Sequence, residues 1–208
     1  MNWKKRVRPD GEQPPIRLLF LALFFLAGIF FGQVSASRVP ASAGEELEHY
    51  LSGYLQVGGE TSPQVALTAA VLYFRYPLAA FFLGFASAGV VLLPVLTGAF
   101  GFFLSFSVCC FTAAFGPDGV LLALAVFGLR CAVTLPCYFL LAVPAWEASA
   151  GLASLSSGKG GRRAAPPVGG GNRWARLGGV SIALLAGMCA ELMLSPEFLR
   201  MVLERLEP

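Results

Sequence analysis

The strongest constraint on this fold is a stretch from Tyr76 to Pro117 that contains no charged side chain. A membrane-crossing helix needs about 20 apolar residues, so this run is too long for one crossing and suits two. Pro94 lies near its middle. The sequence therefore predicts spans at 77–94 and 95–115, joined by a tight turn around Leu92–Gly98. Unpaired backbone groups cannot face lipid, so the turn should be covered by protein.

The rest of the chain fits the same class. Hydrophobic residues make up 56% of the sequence and charged residues 13%, whereas soluble domains have about 25% charged residues. Three further apolar runs predict spans at 16–34, 119–144 and 177–194. We therefore expect an all-α integral membrane protein: a single domain with a bundle of about five transmembrane helices and short extracytoplasmic amphipathic helices.

The first apolar run has two possible interpretations. The sequence VSA, Val34–Ala36, fits a signal-peptidase site. The apolar core is nevertheless longer than the roughly 7–15 residues of a signal peptide, which favours a retained first span.

Basic residues predict the orientation in the cell membrane. They concentrate in residues 1–17 and in the Gly/Pro-rich stretch 145–176, whereas acidic residues dominate 35–75. The positive-inside rule places the first two segments in the cytoplasm. The predicted divisions are 1–15 cytoplasmic, 16–34 first span, 35–76 extracytoplasmic amphipathic helices, 77–94, 95–115 and 119–144 second to fourth spans, 145–176 cytoplasmic linker, 177–194 fifth span, and 195–208 extracytoplasmic tail.

The predicted external segment contains a candidate docking surface. In EELEHYLSGYL, residues Leu47, Tyr50, Leu51 and Tyr54 recur at helical spacing and would share one face. A second helix is predicted to begin after Ser62, with Pro63 at its first position. The Ser195–Pro196 pair predicts a similar short helix in the tail.

Arg130 lies near the middle of the predicted fourth span, where a charge costs about 2.5–3.5 kcal/mol to insert. Such a residue normally faces the bundle interior and is paired. Glu191 is the one acid inside another predicted span, so Arg130 and Glu191 form a candidate interhelical pair. Contact with lipid or a partner, snorkelling of Arg130 alone, and a transport role remain as alternatives.

Small residues recur at four-residue spacing, which lets membrane helices approach closely. The candidate packing positions are Gly28 and Gly32 in the first span, and Ala80, Gly84 and Ala88 in the second. Ala183 and Gly187 repeat the spacing in the fifth. Packing within the chain is the simpler interpretation, with contacts to partner proteins as the alternative.

Few residues suit catalysis or cofactor binding. The single histidine, the cysteine spacing and the intramembrane hydroxyl groups match no metal or nucleophile arrangement. The SSGKGG stretch lacks the spacing and preceding strand of a phosphate-binding loop. A net charge of +3 is too small to indicate nucleic acid. The sequence therefore predicts a non-enzymatic protein without cofactor, metal or small-molecule substrate, and with the lipid bilayer as its main surroundings.

The order of segments resembles the stage II sporulation protein M family of five-span membrane proteins. The similar stretches are FFLAGIFFG, EELEHYLSGYL, GFASAGVVLLPVLTGAFGFFLSFSV, FGPDGVLLAL and AELMLSP, which together extend over about 16–200. One departure occurs in the fourth span, where GLRCAVTLP replaces the polar Pro-Gln/His-type element typical of the family.

The resemblance implies a scaffold rather than an enzyme. Its expected role is in engulfment of the forespore, where it would anchor and localise two peptidoglycan-degrading partners, sporulation proteins D and P, on the extracytoplasmic side. The alternative is a transmembrane subunit of a transporter, which Arg130 and the helix-breaking prolines would suit.

Overall fold

The computed structural model describes residues 16–38, 63–116, 118–156 and 170–206. The regular structure in these ranges is entirely helical. The helices are α1 (Ile16–Ala36), α2 (Pro63–Leu83), α3 (Gly89–Phe115), α4 (Asp118–Ala123), a π-helical segment (Leu124–Gly128), α5 (Leu129–Ser156) and α6 (Gly170–Leu206). The α4 helix, the π segment and α5 follow one another without a break.

Among the described residues, four apolar helical segments are long enough to cross a membrane. They are Ile16–Ala36, Gly89–Ala113, Leu129–Ser154 and Arg173–Leu194. The apolar part of α2, Leu67–Leu83, is shorter. The prediction of an all-α membrane bundle is thus confirmed.

Contacts between the helices give their directions. Residues Gly28 and Gly32 of α1 approach Gly98 and Phe102 of α3 in the same order, so α1 and α3 are parallel. Thr97–Tyr138 and Val90–Trp146 connect α3 with α5. Arg130–Glu191 and Val133–Gly187 connect α5 with α6. Tyr73–Gly187 and Phe81–Trp174 connect α2 with α6. Each of these three helix pairs is antiparallel.

The helices α1, α3 and α6 therefore run in one direction, and α2 and α5 in the other. One end of the bundle carries the start of α1, the α2–α3 turn, the end of α5 and the start of α6. We call it the Arg17 end, because Arg17 there forms an ion pair with Glu147.

Two groups of buried side chains fill the bundle. The first joins α1, α2, α3 and α5 around Leu21, Leu93 and Tyr138, which are fully buried. The second joins α2, α5 and α6 around Tyr73, Leu141 and Leu184. Large apolar side chains such as Leu19 and Phe30 are exposed on the outside, as expected for surfaces that face lipid.

The predicted turn at Leu92–Gly98 is wrong. The chain turns at residues 84–88, and Pro94 lies inside α3. The turn has small residues in the sequence GFASAG, and its amides bond three residues back, as Phe85 N–H does to the Phe82 carbonyl (3.0 Å) and Ala86 N–H to that of Leu83 (3.2 Å). The predicted boundary at 94/95 between the second and third spans is therefore also wrong.

Pro94 is tolerated because another helix replaces the hydrogen bond that it removes. A helical residue at 94 would donate its N–H to the carbonyl of Val90, but proline has no N–H. The indole N–H of Trp146 donates to this carbonyl instead (3.0 Å). Such replacement by a neighbouring helix is how membrane helices accommodate proline.

Three other predicted boundaries are displaced. The α2 helix starts at Pro63 as predicted but continues through residue 77 to Leu83, so the external segment does not end in a break at 76. The α5 helix continues past 144 to Ser156, through an alanine-rich stretch of high helix propensity. The α6 helix runs from Gly170 through the Ser195–Pro196 pair to Leu206, so the tail has no separate helix.

Candidate functional site

The π-helical segment lies directly before Arg130 in the chain. Its hydrogen bonds connect residues five apart, so it contains one more residue per turn than an α-helix. This extra residue changes which face α5 presents to its neighbours. At this level Phe127 meets the edge of the Phe111 ring, with 5.4 Å between the ring centroids. The segment therefore offsets the helical register of Arg130 relative to α4.

Arg130 on α5 and Glu191 on α6 form a two-point ion pair. Nε donates to Oε2 of Glu191 at 3.2 Å, and Nη2 donates to Oε1. The side chains are 20% and 10% exposed, respectively. The paired geometry matches the planar guanidinium to the carboxylate, which is the strong form of a charge-assisted hydrogen bond. The structure thus brings together the two residues of the predicted pair.

A third helix, α2, contacts the Arg130–Glu191 site through Tyr73. The guanidinium of Arg130 lies over the ring of Tyr73 on α2, 5.7 Å from its centroid. The hydroxyl of Tyr73 donates to the carbonyl of Gly187 on α6 at 3.2 Å. Within α5, the hydroxyl of Thr134 donates to the carbonyl of Arg130. The site therefore joins α2, α5 and α6 through one connected group of side chains.

The sequence did not single out Tyr73 as a member of this site. Tyr73 falls within the predicted extracytoplasmic segment 35–76, whereas the structure buries it fully inside the bundle. What distinguishes Tyr73 is its position on the side of α2 that faces α6. This position could be recognised only once it was known that α2 packs against α6. The close approach of α5 to α6 is made at Gly187, where an added Cβ would lie 2.7 Å from Cγ1 of Val133.

A second candidate region is the contact between α1 and α3. A Cβ added to Gly28 would overlap the carbonyl oxygen of Gly98, and one added to Gly32 would lie 2.5 Å from that of Phe102. A Cβ at Gly101 would overlap the carbonyl oxygen of Phe25. We call Gly28, Gly32 and Gly101 the glycine interface. It shows that α3 is the helix that packs on the two predicted glycines of α1.

Gly101 is not among the predicted packing positions, because those positions share a four-residue spacing. Gly98 and Gly101 are three apart, which also places them on the same side of a helix. The incorrectly predicted turn at Leu92–Gly98 also contributed, because Gly98 was expected at the end of that turn rather than inside a helix.

The predicted ridge of Ala80, Gly84 and Ala88 is only partly formed. Ala80 is fully buried, and a Cβ on Gly84 would lie 2.9 Å from Cα of Ala145. Ala88 is exposed and immediately precedes α3, so it does not continue the ridge. The prediction for Ala88 is wrong because the chain leaves the helix after Leu83.

The predicted docking residues Leu47, Tyr50, Leu51 and Tyr54 lie outside the described residues. Within the described ranges, no group of three His, Cys, Asp or Glu side chains could hold a metal. Comparison of the chain with family models, curated proteins and solved structures finds no match. The class that the fold defines is therefore that of an all-α membrane bundle, and the family resemblance stays a prediction.

Proposed function

We propose that this chain is a non-enzymatic membrane scaffold, in which the bundle holds an extracytoplasmic segment in place for partner proteins. The observation that carries the proposal is that the buried polar groups bond to one another. In the described part of the bundle, every buried side-chain nitrogen or oxygen has a hydrogen-bond partner. Fully satisfied polar groups rigidify a bundle and specify one arrangement.

The polar contacts join different helices, which supports a rigid framework. The hydroxyl groups of Thr97 and Tyr138 are 2.7 Å apart and connect α3 to α5. Oγ of Ser149 on α5 lies 2.8 Å from the carbonyl oxygens of both Leu83, the last residue of α2, and Ala86, within the following turn, so its proton can bond either one. Together with Arg130 and Glu191, these contacts tie α2, α3 and α6 to α5.

The proposed biological setting follows from the resemblance to stage II sporulation protein M. In this proposal the chain acts in engulfment of the forespore and localises peptidoglycan hydrolases of the sporulation protein D and P kinds at the engulfing membrane. The amino terminus and the 157–169 connection face the cytoplasm. Segment 39–62 then faces outward and presents Leu47, Tyr50, Leu51 and Tyr54 to the partners.

The test is recovery of peptidoglycan-hydrolase activity with the tagged, full-length protein from sporulating cells of its natural host. Replacing both Tyr50→Asp and Tyr54→Asp places charges on the proposed apolar face, and we expect recovery to fall at least about tenfold, as for loss of a central interface anchor. The matched control is Ser52→Asp with Gln56→Asp, which adds the same charges on the opposite face of the predicted helix. The control should keep normal recovery.

Two results would contradict the scaffold proposal. Recovery of no hydrolase with the natural protein would remove the proposed partner class. Equal recovery with both double variants would show that the Tyr50 face does not dock the partner. Insertion of each variant is checked by its amount in the membrane fraction.

A transporter subunit is the second candidate function. It is favoured by the charged pair beside a π-helical segment, since both features frequently occur at functional sites of membrane helices. In that function Arg130 or Glu191 would exchange its partner for a transported ion. An apolar replacement of both residues separates the two functions, because a scaffold keeps its activity and a transport site loses it.

A further inference from the structure

A cleft opens at the Arg17 end of the bundle, between α2, α5 and α6. Its apolar wall includes Phe81 of α2, Phe85 of the following turn, and Leu141 and Pro144 of α5. Two arginines of α6, Arg173 and Arg176, complete its lining. The cleft thus combines an apolar wall with two cationic groups, and it lies well apart from Arg130 and Glu191.

The two arginines lie on the same side of α6, because residues three apart are neighbours on a helix surface. The guanidinium of Arg173 stacks over the ring of Phe85, 5.5 Å from its centroid. Salt bridges among the described residues join Arg17 to Glu147 and Arg130 to Glu191, so neither carboxylate neutralises Arg173 or Arg176. The cleft consequently presents two positive charges to an incoming anion.

Two tryptophans mark the level of the cleft along the bundle. Trp174 follows Arg173, is 60% exposed and meets the edge of the Phe81 ring at 5.4 Å. Trp146 lies on α5 near the same end. Tryptophan is enriched where a membrane meets water. From these positions we expect the arginines to lie at headgroup level, with Leu141 on the hydrocarbon side of Pro144 along α5.

We propose that this cleft binds an anionic phospholipid. The guanidinium groups of Arg173 and Arg176 hold the phosphate, since arginine matches phosphate oxygens with two parallel donors. One acyl chain lies against the exposed ring of Phe85 and against the half-buried Pro144, over the buried Phe81 and Leu141. The cleft is shallow, about 20 Å³, so it offers a contact surface along a chain rather than a chamber that would enclose a soluble ligand. This proposal is independent of the scaffold function.

The experiment measures lipid binding to the purified full-length protein in mild detergent. Phosphatidylglycerol and phosphatidylcholine with identical acyl chains are the probes, and glycerol 3-phosphate supplies a phosphate without chains. We expect tighter binding of phosphatidylglycerol than of either other probe. Replacing both Arg173→Gln and Arg176→Gln should weaken its binding about 30-fold, from about 1 kcal/mol per basic residue.

The control variant is Arg75→Gln, which removes another exposed arginine that stacks on an aromatic ring, Tyr76, but does not line the cleft. It should bind phosphatidylglycerol within about twofold of the natural protein, since separate surface sites do not couple. Equal binding of phosphatidylglycerol by the natural protein and the Arg173/Arg176 variant would overturn the proposal. Glycerol 3-phosphate binding as tightly as phosphatidylglycerol would overturn the assignment to a lipid.

Discussion

Two of the helix contacts in the bundle are made in chemically different ways. The glycine interface brings the backbones of α1 and α3 into close contact, and an added Cβ would strike backbone atoms. At the contact of α5 with α6, Arg130 and Glu191 form an ion pair beside the buried Tyr73. The first contact depends on shape and the second on charge.

The difference shows which changes each contact should tolerate. Lipid offers no hydrophobic driving force between helices, so the glycine interface depends on close van der Waals packing. The ion pair instead depends on both charges being present, because one charge alone is left unpaired inside the bundle. Enlarging a residue should therefore break the first contact, and removing one charge should break the second.

The largest effect is expected from removing one charge. Arg130→Met leaves Glu191 buried without its partner, which should lower the free energy of unfolding by about 3–5 kcal/mol. The measurement is reversible unfolding of the purified protein in mixed micelles, followed by circular dichroism. The control is Arg75→Met, since Arg75 is exposed and its stacking on Tyr76 contributes about 0.5–1 kcal/mol. Equal losses in the two variants would argue that the pair contributes no more than an exposed arginine.

An intermediate effect is expected at the glycine interface. Gly28→Leu inserts a side chain where the carbonyl of Gly98 stands, so α1 and α3 must separate, at a cost of about 1–3 kcal/mol. The same unfolding measurement applies. Gly179→Leu is the matched control, because Gly179 is helical and has open space around it. If Gly28→Leu and Gly179→Leu have the same free energy of unfolding, α1 and α3 do not pack as closely as the glycine interface requires.

The smallest effect is expected from the hydroxyl of Tyr73. Tyr73→Phe keeps the ring under Arg130 and removes the hydrogen bond to Gly187. Hydrogen bonds between membrane helices contribute about 0.6 kcal/mol on average, and the unfolding free energy should fall by that amount. A loss as large as that of Arg130→Met would instead show that the hydroxyl is a central part of the charged site.

The sequence was informative where a feature has few possible partners. Glu191 was the one acid within another predicted span, so pairing it with Arg130 needed no knowledge of the helix arrangement. The paired glycines of α1 similarly indicated a close contact. Their partner could not be predicted, because small residues are frequent in membrane helices and the sequence does not say which helices are neighbours.

Proline was the misleading signal. Pro94 suggested a turn because proline removes a backbone hydrogen bond, yet the bond is replaced by Trp146, 52 residues later in the chain. The actual turn uses glycine, alanine and serine, which are also common inside membrane helices. Tertiary contacts such as those of Trp146 and Ser149 therefore decide the boundary between α2 and α3.

The most direct test of the account is replacement of the whole ion pair. The variant carrying both Arg130→Met and Glu191→Leu has apolar side chains of similar size, and such a replacement of a buried pair is often neutral or stabilising. If the pair is structural in a scaffold, this variant should recover the stability lost in Arg130→Met and should still co-purify with peptidoglycan-hydrolase activity. A stably folded double variant that recovers no hydrolase would contradict the account, because the charges themselves would then carry the function.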